Sequence, residues 1–213
     1  MSSPDANSTW FHFSIPGGSD FAVFGFSGVE QISRPYSFTI DLASQFASER
    51  LLNLVGQEAC LSIADRSGTS RLVHGIIREM EQLHSANLWT CYRCLIVPRL
   101  WFLGSRRNHR IFQHQTVPAI ITHILGEQNF TEDAFAFKCF HDYPVREYCV
   151  QYGESDLHFI SRLCEEEGIY YYFEHSETGH CVCFSDMAGG PRIGGESALR
   201  CFWRHCWHSL PWN

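Results

Sequence analysis

The sequence predicts a mainly β chain, an antiparallel barrel-like domain followed by an α+β domain, and three observations carry that expectation. Aromatic residues form 15% of the 213, with 17 Phe, 8 Tyr and 6 Trp, a load that suits packing between strands better than a helical bundle. In the first half, apolar residues alternate with polar ones in short runs separated by turn-forming residues. Helical spacing of apolar residues appears only after Pro98. The 45% apolar content suffices for one sizeable core or two small ones, which excludes intrinsic disorder as the main reading.

The elements follow in order. Phe38, Ile40 and Leu42 alternate with Ser37, Thr39 and Asp41, so 36–42 is a strand with one buried face. Similar patterns predict strands at 21–26, 58–64, 71–79 and 88–97, set apart by Gly28, by Asp65-Arg66-Ser67-Gly68 and by Ser85-Ala86-Asn87. Between them, Glu49–Leu54 allows at most a brief helix. Val117, Ile120, Ile121, Ile124 and Leu125 then fall at helical spacing, with Thr116 as N-cap and Pro118 in the first turn. A second helix has Ser155 as N-cap, Asp156 in its first turn, Leu157, Ile160, Leu163 and Cys164 on one face, and Gly168 as its stop. Strands at 169–174 and 180–185 follow, joined by a turn at Ser176-Glu177-Thr178-Gly179. The expected organisation is a disordered N-terminus over 1–9, a β-barrel-like domain over 10–97, an α+β domain over 98–186 and a divergent tail over 187–213.

Charge and composition exclude several function classes. Against 23 acidic residues stand 16 basic ones, giving −7, and Lys138 is the sole lysine, so no basic stripe is available to neutralise a nucleic acid. The longest unbroken apolar run, Ile169–Phe173, is far shorter than the roughly 20 residues of a membrane-spanning helix. Met1–Ser8 has neither a basic start nor an apolar stretch, which predicts no secretory signal peptide and a chain made in the cytoplasm. In that compartment the 10 cysteines are expected to be reduced.

Sequence motifs assign no catalytic, cofactor-binding or metal-ligating residue. There is no GxSxG, HExxH, GxxxxGK[ST] or strand-borne GxGxxG, and the pairs Gly17-Gly18, Gly189-Gly190 and Gly194-Gly195 read as loop residues. Lys138 has no neighbouring cation to depress its pKa and reads as a surface lysine. Cys91 and Cys94 have zinc-like spacing but lie in an extended run, where residues three apart point to opposite faces. Cys181 and Cys183 share a strand face beside His180, without a second ligand pair. Glu165-Glu166-Glu167, at a helix end, reads as solvated or paired with arginines. Arg106-Arg107-Asn108-His109-Arg110 reads as a basic loop or a protein contact. The tail gathers Trp203, Trp207 and Trp212 with Cys201, His205, Cys206 and His208. Those four potential ligands supply the alternative reading, a free-standing metal- or small-molecule-binding domain.

The order of longer motifs goes further. Val97-Pro98-Arg99-Leu100-Trp101-Phe102-Leu103, Arg106-Arg107-Asn108-His109-Arg110-Ile111-Phe112-Gln113 and Tyr143-Pro144-Val145-Arg146-Glu147-Tyr148-Cys149-Val150-Gln151-Tyr152 stand in sequence. They precede Glu154-Ser155-Asp156-Leu157-His158-Phe159-Ile160-Ser161-Arg162-Leu163 and Glu165-Glu166-Glu167-Gly168-Ile169-Tyr170-Tyr171-Tyr172-Phe173. With Phe26-Ser27-Gly28-Val29-Glu30, Ser33-Arg34-Pro35-Tyr36-Ser37-Phe38 and Leu52-Asn53-Leu54-Val55-Gly56-Gln57 upstream, the chain resembles the VgrG family of type VI secretion spike proteins over about residues 10–186.

The resemblance implies a phage tail hub-like fold in which three chains make a ring lined by barrel domains. It implies docking on the end of the hexameric Hcp tube, export through the secretion apparatus by contraction, and spike-tip or effector proteins as partners. It also implies a structural protein, since the family's toxin activities sit in appended domains, and it carries over no catalytic residue. The family pattern continues through a second barrel, an oligonucleotide-binding-like barrel and a valine-glycine needle that these 213 residues do not show, and the resemblance fades after about Met187. The expectation is a truncated or frameshifted, non-functional hub whose isolated chain does not form the trimer.

Overall fold

The computed structural model describes residues 11–16, 21–45, 53–64, 70–86, 88–187 and 200–202, with Ala86 and 200–202 described by backbone alone. The described residues fall into two units. One holds those up to Val29, Ser37–Val97 and the 200–202 stretch; the other holds Glu30–Tyr36 and those from Pro98 on. The expected N-terminal segment 1–9 and residues 49–52 of the expected brief helix lie outside the described residues, as does the tail except for Met187 and 200–202.

The first unit is a seven-stranded sheet. Its strands are β1 (Phe11–Ser14), β2 (Ala22–Gln31), β3 (Arg34–Ser44), β4 (Glu58–Ala64), β5 (Ser70–Ala86), β6 (Trp89–Val97) and β12 (Arg200–Phe202), in the order β1-β4-β5-β6-β3-β2-β12. An antiparallel bridge between Phe13 and Phe21, just ahead of β2, brings the ends of this curled sheet together. The aromatic load fills the space enclosed. Phe11 meets Phe26 edge-on at 5.2 Å, and Phe21 contacts both Phe13 and Tyr92 at 6.3 and 6.0 Å. Ile40, Leu42, Leu61, Val73, Ile77, Cys94 and Ile96 complete a core without exposure. One position needs glycine for space: a Cβ on Gly28 would lie 2.2 Å from the Phe38 ring.

The second unit begins with a 3₁₀ helix at Arg99–Ser105 and continues as β7 (Arg107–Gln115), α1 (Val117–Glu127), β8 (Phe135–Lys138), β9 (Arg146–Ser155), α2 (Asp156–Glu167), β10 (Tyr170–His175) and β11 (His180–Ser185). β7 and β9 form an antiparallel ribbon, and β10, β11 and β8 form a second sheet in which β8 runs parallel to β11. Both helices start where capping chemistry sets them. The Thr116 Oγ1 accepts from Ala119 N at 3.4 Å with Pro118 in the first turn, and the Ser155 Oγ accepts from His158 N at 3.2 Å. Gly168 ends α2 in the left-handed conformation at φ 69°. Leu100, Leu103, Val117, Ile120, Ile121, Ile124, Phe159, Ile160, Leu163 and Phe184 form the core. The free edge of β10 meets Ser33, whose N–H donates to Tyr171 O at 2.8 Å.

The chain is mainly β with an α+β part, as its alternation and helix signals predict. Several details differ. The sequence pattern predicts no strand at β1, β7, β8, β9 or β12, Gly28 lies within β2 instead of at a turn, and Arg107–Arg110 lies in a strand instead of a loop. β5 runs to Ala86 instead of residue 79, because its second half pairs with β6 past the end of β4 and stays polar. On α2 the buried face includes Phe159, while Leu157 is only half-buried. Of the brief helix allowed over Glu49–Leu54 only Asn53 and Leu54 are described, Asn53 as 3₁₀ helix leading into a turn in which the Gly56 N–H donates to Ile77 O at 2.8 Å.

Leu163 has no exposed surface. Leu163→Ala should lower the unfolding free energy by about 2–5 kcal/mol in urea titration, and an unchanged midpoint would refute the packing role given to α2.

Candidate functional site

The structure disperses most of the sequence candidates for chemistry. Cys94 is buried in the first unit, where burial pushes its thiol up to about 12, while Cys91 is half-buried on the opposite face of β6. Cys181 and Cys183 share a face of β11 with their Sγ atoms 4.0 Å apart. Burial, then the charge of Cys181, pushes the Cys183 thiol up to about 12. Lys138 donates to Glu174 Oε1 at 2.6 Å, and that bond raises its pKa. Among the described residues no group of three or more His, Cys, Asp or Glu gathers as a metal site. The three glycine pairs, and His205, Cys206 and His208, lie outside the described residues, as does the Cys201 side chain.

One basic cluster does assemble, around a carboxylate. Asp156, the first residue of α2, is fully buried. Its Oδ1 accepts from Arg110 Nη2 at 2.5 Å, Gln151 Nε2 at 2.8 Å and Asn108 Nδ2 at 2.9 Å. Its Oδ2 faces Arg106 Nε at 3.8 Å. Arg110 also donates from Nε to Gln151 Oε1 at 2.9 Å and pairs with Glu127 at the end of α1. The Asp156 N–H donates to Arg106 O at 2.9 Å. Two strands and two helices therefore converge on one buried charge, whose Oδ1 takes three donors in place of water while Oδ2 has no hydrogen-bond partner among the described residues and faces Arg106 alone.

Two further sets of charges hold the same unit. Along α2, Arg162 bridges Glu154 at 2.7 Å and Glu166 at 2.8 Å, and Arg146 of β9 takes Glu166 at 2.6 Å and Glu167 at 2.5 Å. The Glu165-Glu166-Glu167 run is thus largely arginine-paired, with Glu165 exposed. After β11, Asp186 accepts from Phe140 N, His141 N, His141 Nδ1 and Tyr143 Oη, all within 2.7–3.1 Å. Burial works to raise its pKa, but the His141 and Phe140 N–H groups outweigh it and hold the carboxyl well below the usual range.

The ribbon presents what the clamp does not use. Phe112, Cys149 and Gln151 point inward and are buried, whereas Ile111, Tyr148, Val150 and Tyr152 face outward with 66%, 63%, 46% and 81% exposure. Ile111 lies opposite Val150, His109 opposite Tyr152 and Gln113 opposite Tyr148, and the His109 ring stacks edge-on against Tyr152 at 5.0 Å. A register shift lies beside His109, and nearby Gly153 adopts φ 64°, which a side chain would strain.

By comparison with known proteins, this curled sheet and helix-backed ribbon form a phage tail hub-like fold. The architecture is similar to that of a solved Escherichia coli protein, c3393, with a TM-score of 0.74 and 30% identity over 82% of this chain and 48% of that one. That protein is described as a component of the type VI secretion system with structural similarity to the T4 bacteriophage tail proteins gp27 and gp5. The chain belongs to the phage tail baseplate hub (GPD) family, which matches residues 29–204. Among its relatives are two Pseudomonas aeruginosa type VI secretion system spike proteins, and the VgrG resemblance of its motifs holds in both. VgrG4b is 44% identical over 91% of this chain and VgrG5 42% over 88%, and the chain spans 24% of the length of each. The family match runs past Met187 and takes in β12.

Two measurements test these charge clusters, the first the set around Asp156 and the second the arginine pairs along α2. Asp156→Ala leaves Arg110 without its buried counter-charge and should cost about 3–5 kcal/mol in urea unfolding, whereas Asp156→Asn, which keeps an oxygen acceptor, should cost less; equal small losses would refute a keystone role. Hydrogen bonds from Arg162 to Glu154 and from Arg146 to Glu166 hold both carboxyls below their ordinary value. The unfolded chain then takes up protons first as pH falls. Stability should be flat at neutral pH and fall below about pH 4.5, as acid passes through the unfolded and then the folded pKa values, with a shallower decline in Glu166→Gln.

Proposed function

We propose that this chain is the structural hub portion of a VgrG-like type VI secretion spike, the base that docks on the end of the Hcp tube and is ejected by contraction to deliver effectors. The observation that carries this reading is the likeness to the c3393 protein, at 30% identity and a TM-score of 0.74 over most of the chain. The use of Asp156, Arg110, Glu154 and Arg162 in internal pairing supports a structural, non-enzymatic part. So do relatives that are spike proteins. In this reading the chain is made in the cytoplasm and leaves it through the apparatus, with identical chains, the tube, and spike-tip or effector proteins as partners. Among the described residues no helix is long and apolar enough to cross a membrane. The alternative, metal or small-molecule binding through Cys201, His205, Cys206 and His208, gains no support from the family or the fold.

Docking is tested by grafting. Residues 10–186 placed in VgrG4b in exchange for its matching segment should preserve export of Hcp into the medium, and a folded, trimeric chimera that exports none would overturn the reading. Assembly of the isolated chain has its own outcome. A ring built from two barrel-type domains per chain loses much of its interface when one is missing, and contacts much below about 1,000 Å² seldom sustain an oligomer. Light scattering at micromolar concentration should therefore show no stable trimer, and a well-defined trimer would place the ring contacts in the first barrel alone.

A further inference from the structure

Strand alternation sends Val182 and Phe184 of β11 into the core and leaves Cys181 and Cys183 together on the opposite face of the sheet. Residues two apart on a strand are spaced by about 6.6 Å. The two Sγ atoms stand only 4.0 Å apart, so both side chains are turned toward a common point. Cys183 has no exposed surface and Cys181 is half-buried, so the pair is reached from the Cys181 side. Across the ladder Glu174 lies opposite Cys181 and Tyr172 opposite Cys183, and on the other flank Lys138 lies opposite Ser185. Lys138 donates to Glu174 at 2.6 Å and sits over the Tyr172 ring, 5.8 Å from its centre. Because β11 lies between β8 and β10, this ion pair crosses β11 over Cys183.

The number and softness of these atoms identify the ligand. His180, next in the chain, faces the other side, where its Nε2 accepts from Arg99 N at 3.3 Å. Glu174 is held by Lys138, and among the described residues no group of three His, Cys, Asp or Glu gathers as a metal site. Structural zinc asks for a closed tetrahedral set, and calcium and magnesium ask for oxygen. Two sulfurs alone suit a soft monovalent ion, Cu(I) or its redox-inert analogue Ag(I), for which thiolates are selective. A metal–thiolate bond of about 2.3 Å lets two sulfurs on one ion stand up to about 4.6 Å apart. The observed 4.0 Å falls within that reach without movement of the strand.

We propose that Cys181 and Cys183 form a two-coordinate site for a soft monovalent metal ion, with the Lys138–Glu174 ion pair as its cover. On binding, two S–H bonds break, two metal–sulfur bonds form and two protons pass to solvent, with no electron transferred. Burial holds both thiols protonated, and the Lys138 charge works the other way, toward the thiolates. An ion that binds here must therefore displace firmly held protons, which strongly thiophilic metals do. The bis-thiolate complex carries one negative charge, which the Lys138 ammonium offsets. The site adds a ligand to the chain and does not rest on the hub reading.

Transfer of Cu(I) from its coloured bicinchoninate complex to the full chain, under anaerobic conditions, tests it. At chelator concentrations that hold Cu(I) back from single thiols, the wild type should take up one equivalent, and X-ray absorption of that adduct should show two sulfur neighbours. Cys181→Ser, at the half-buried position, should weaken uptake by more than about tenfold, with the circular dichroism and unfolding midpoint of the metal-free chain unchanged. One equivalent of Ag(I) should raise the unfolding midpoint of the wild type and leave that of Cys181→Ser in place. The double variant Cys201→Ser/Cys206→Ser, which removes the tail thiols, and Cys60→Ser, which removes the thiol beside His74, should both keep the equivalent. A wild type that takes up no Cu(I), uptake unchanged in Cys181→Ser, or uptake lost with the tail thiols would overturn the proposal. Each of those results leaves the hub reading standing, since that reading is decided by Hcp export from the graft.

Discussion

A carboxylate with no exposed surface has lost its water, and Asp156 replaces that water with donors from two strands and a cation from each of two positions ahead of it in sequence. The second unit is arranged around this requirement. Asn108 and Arg110 must point inward from β7, which fixes that strand's facing. Gln151 must do the same from β9, which fixes the register between them, and the register shift at Asn108 and His109 lets both partners reach a common oxygen. Because Asp156 opens α2, the helix start is locked to the end of the ribbon, and Arg110 carries the connection on to Glu127 of α1. Replacing the cluster with apolar residues could preserve packing energy, but it would remove the directional bonds that set the facing of both strands.

That arrangement explains which parts of the fold were legible in the sequence. The strands of the first unit hold their apolar residues inward, so Phe38, Ile40 and Leu42 announce a strand by alternation alone. Both helices were legible because Thr116, Pro118, Ser155 and Gly168 combine with apolar residues at helical spacing. β7 and β9 fail the same test for a physical reason. Their inward positions include Asn108, Arg110 and Gln151, and their outward positions include Ile111, Tyr148, Val150 and Tyr152, so alternation is present but its hydrophobic sign is reversed. The basic run Arg106–Arg110 could be noticed, but not its target, because Asp156 lies far away in sequence and resembles an ordinary first-turn acid on a helix. The signal available was the pairing of that acid with a polar residue at an inward strand position, and it becomes visible only once the two strands are recognised.

A reversed pattern has a consequence for how the ribbon is held. Exposed aromatic and branched side chains on a two-stranded ribbon contribute little to its own stability, since such ribbons need a third strand or a packed face to stand alone. Here the inward face supplies that support through the clamp and through Phe112, which stacks on Phe159 at 5.8 Å. The polar residues that anchor the ribbon occupy the inward row, and branched and aromatic ones lie on the outward row.

The direction of the resolved pKa shifts bears on what kind of protein this is. Burial raises the thiols of Cys94, Cys164 and Cys183, which keeps them protonated and poor nucleophiles at neutral pH. Arginine and lysine partners lower Glu154, Glu166 and Glu174, keeping them ionised, and the bond to Glu174 holds Lys138 in its charged form. A site built for acid and base chemistry pushes carboxylates up and amines down, toward the working pH, so that a proton can be passed in either direction. In this chain the shifts run the other way, each group being driven deeper into the protonation state it already holds. That is the electrostatic pattern of charges used as fasteners.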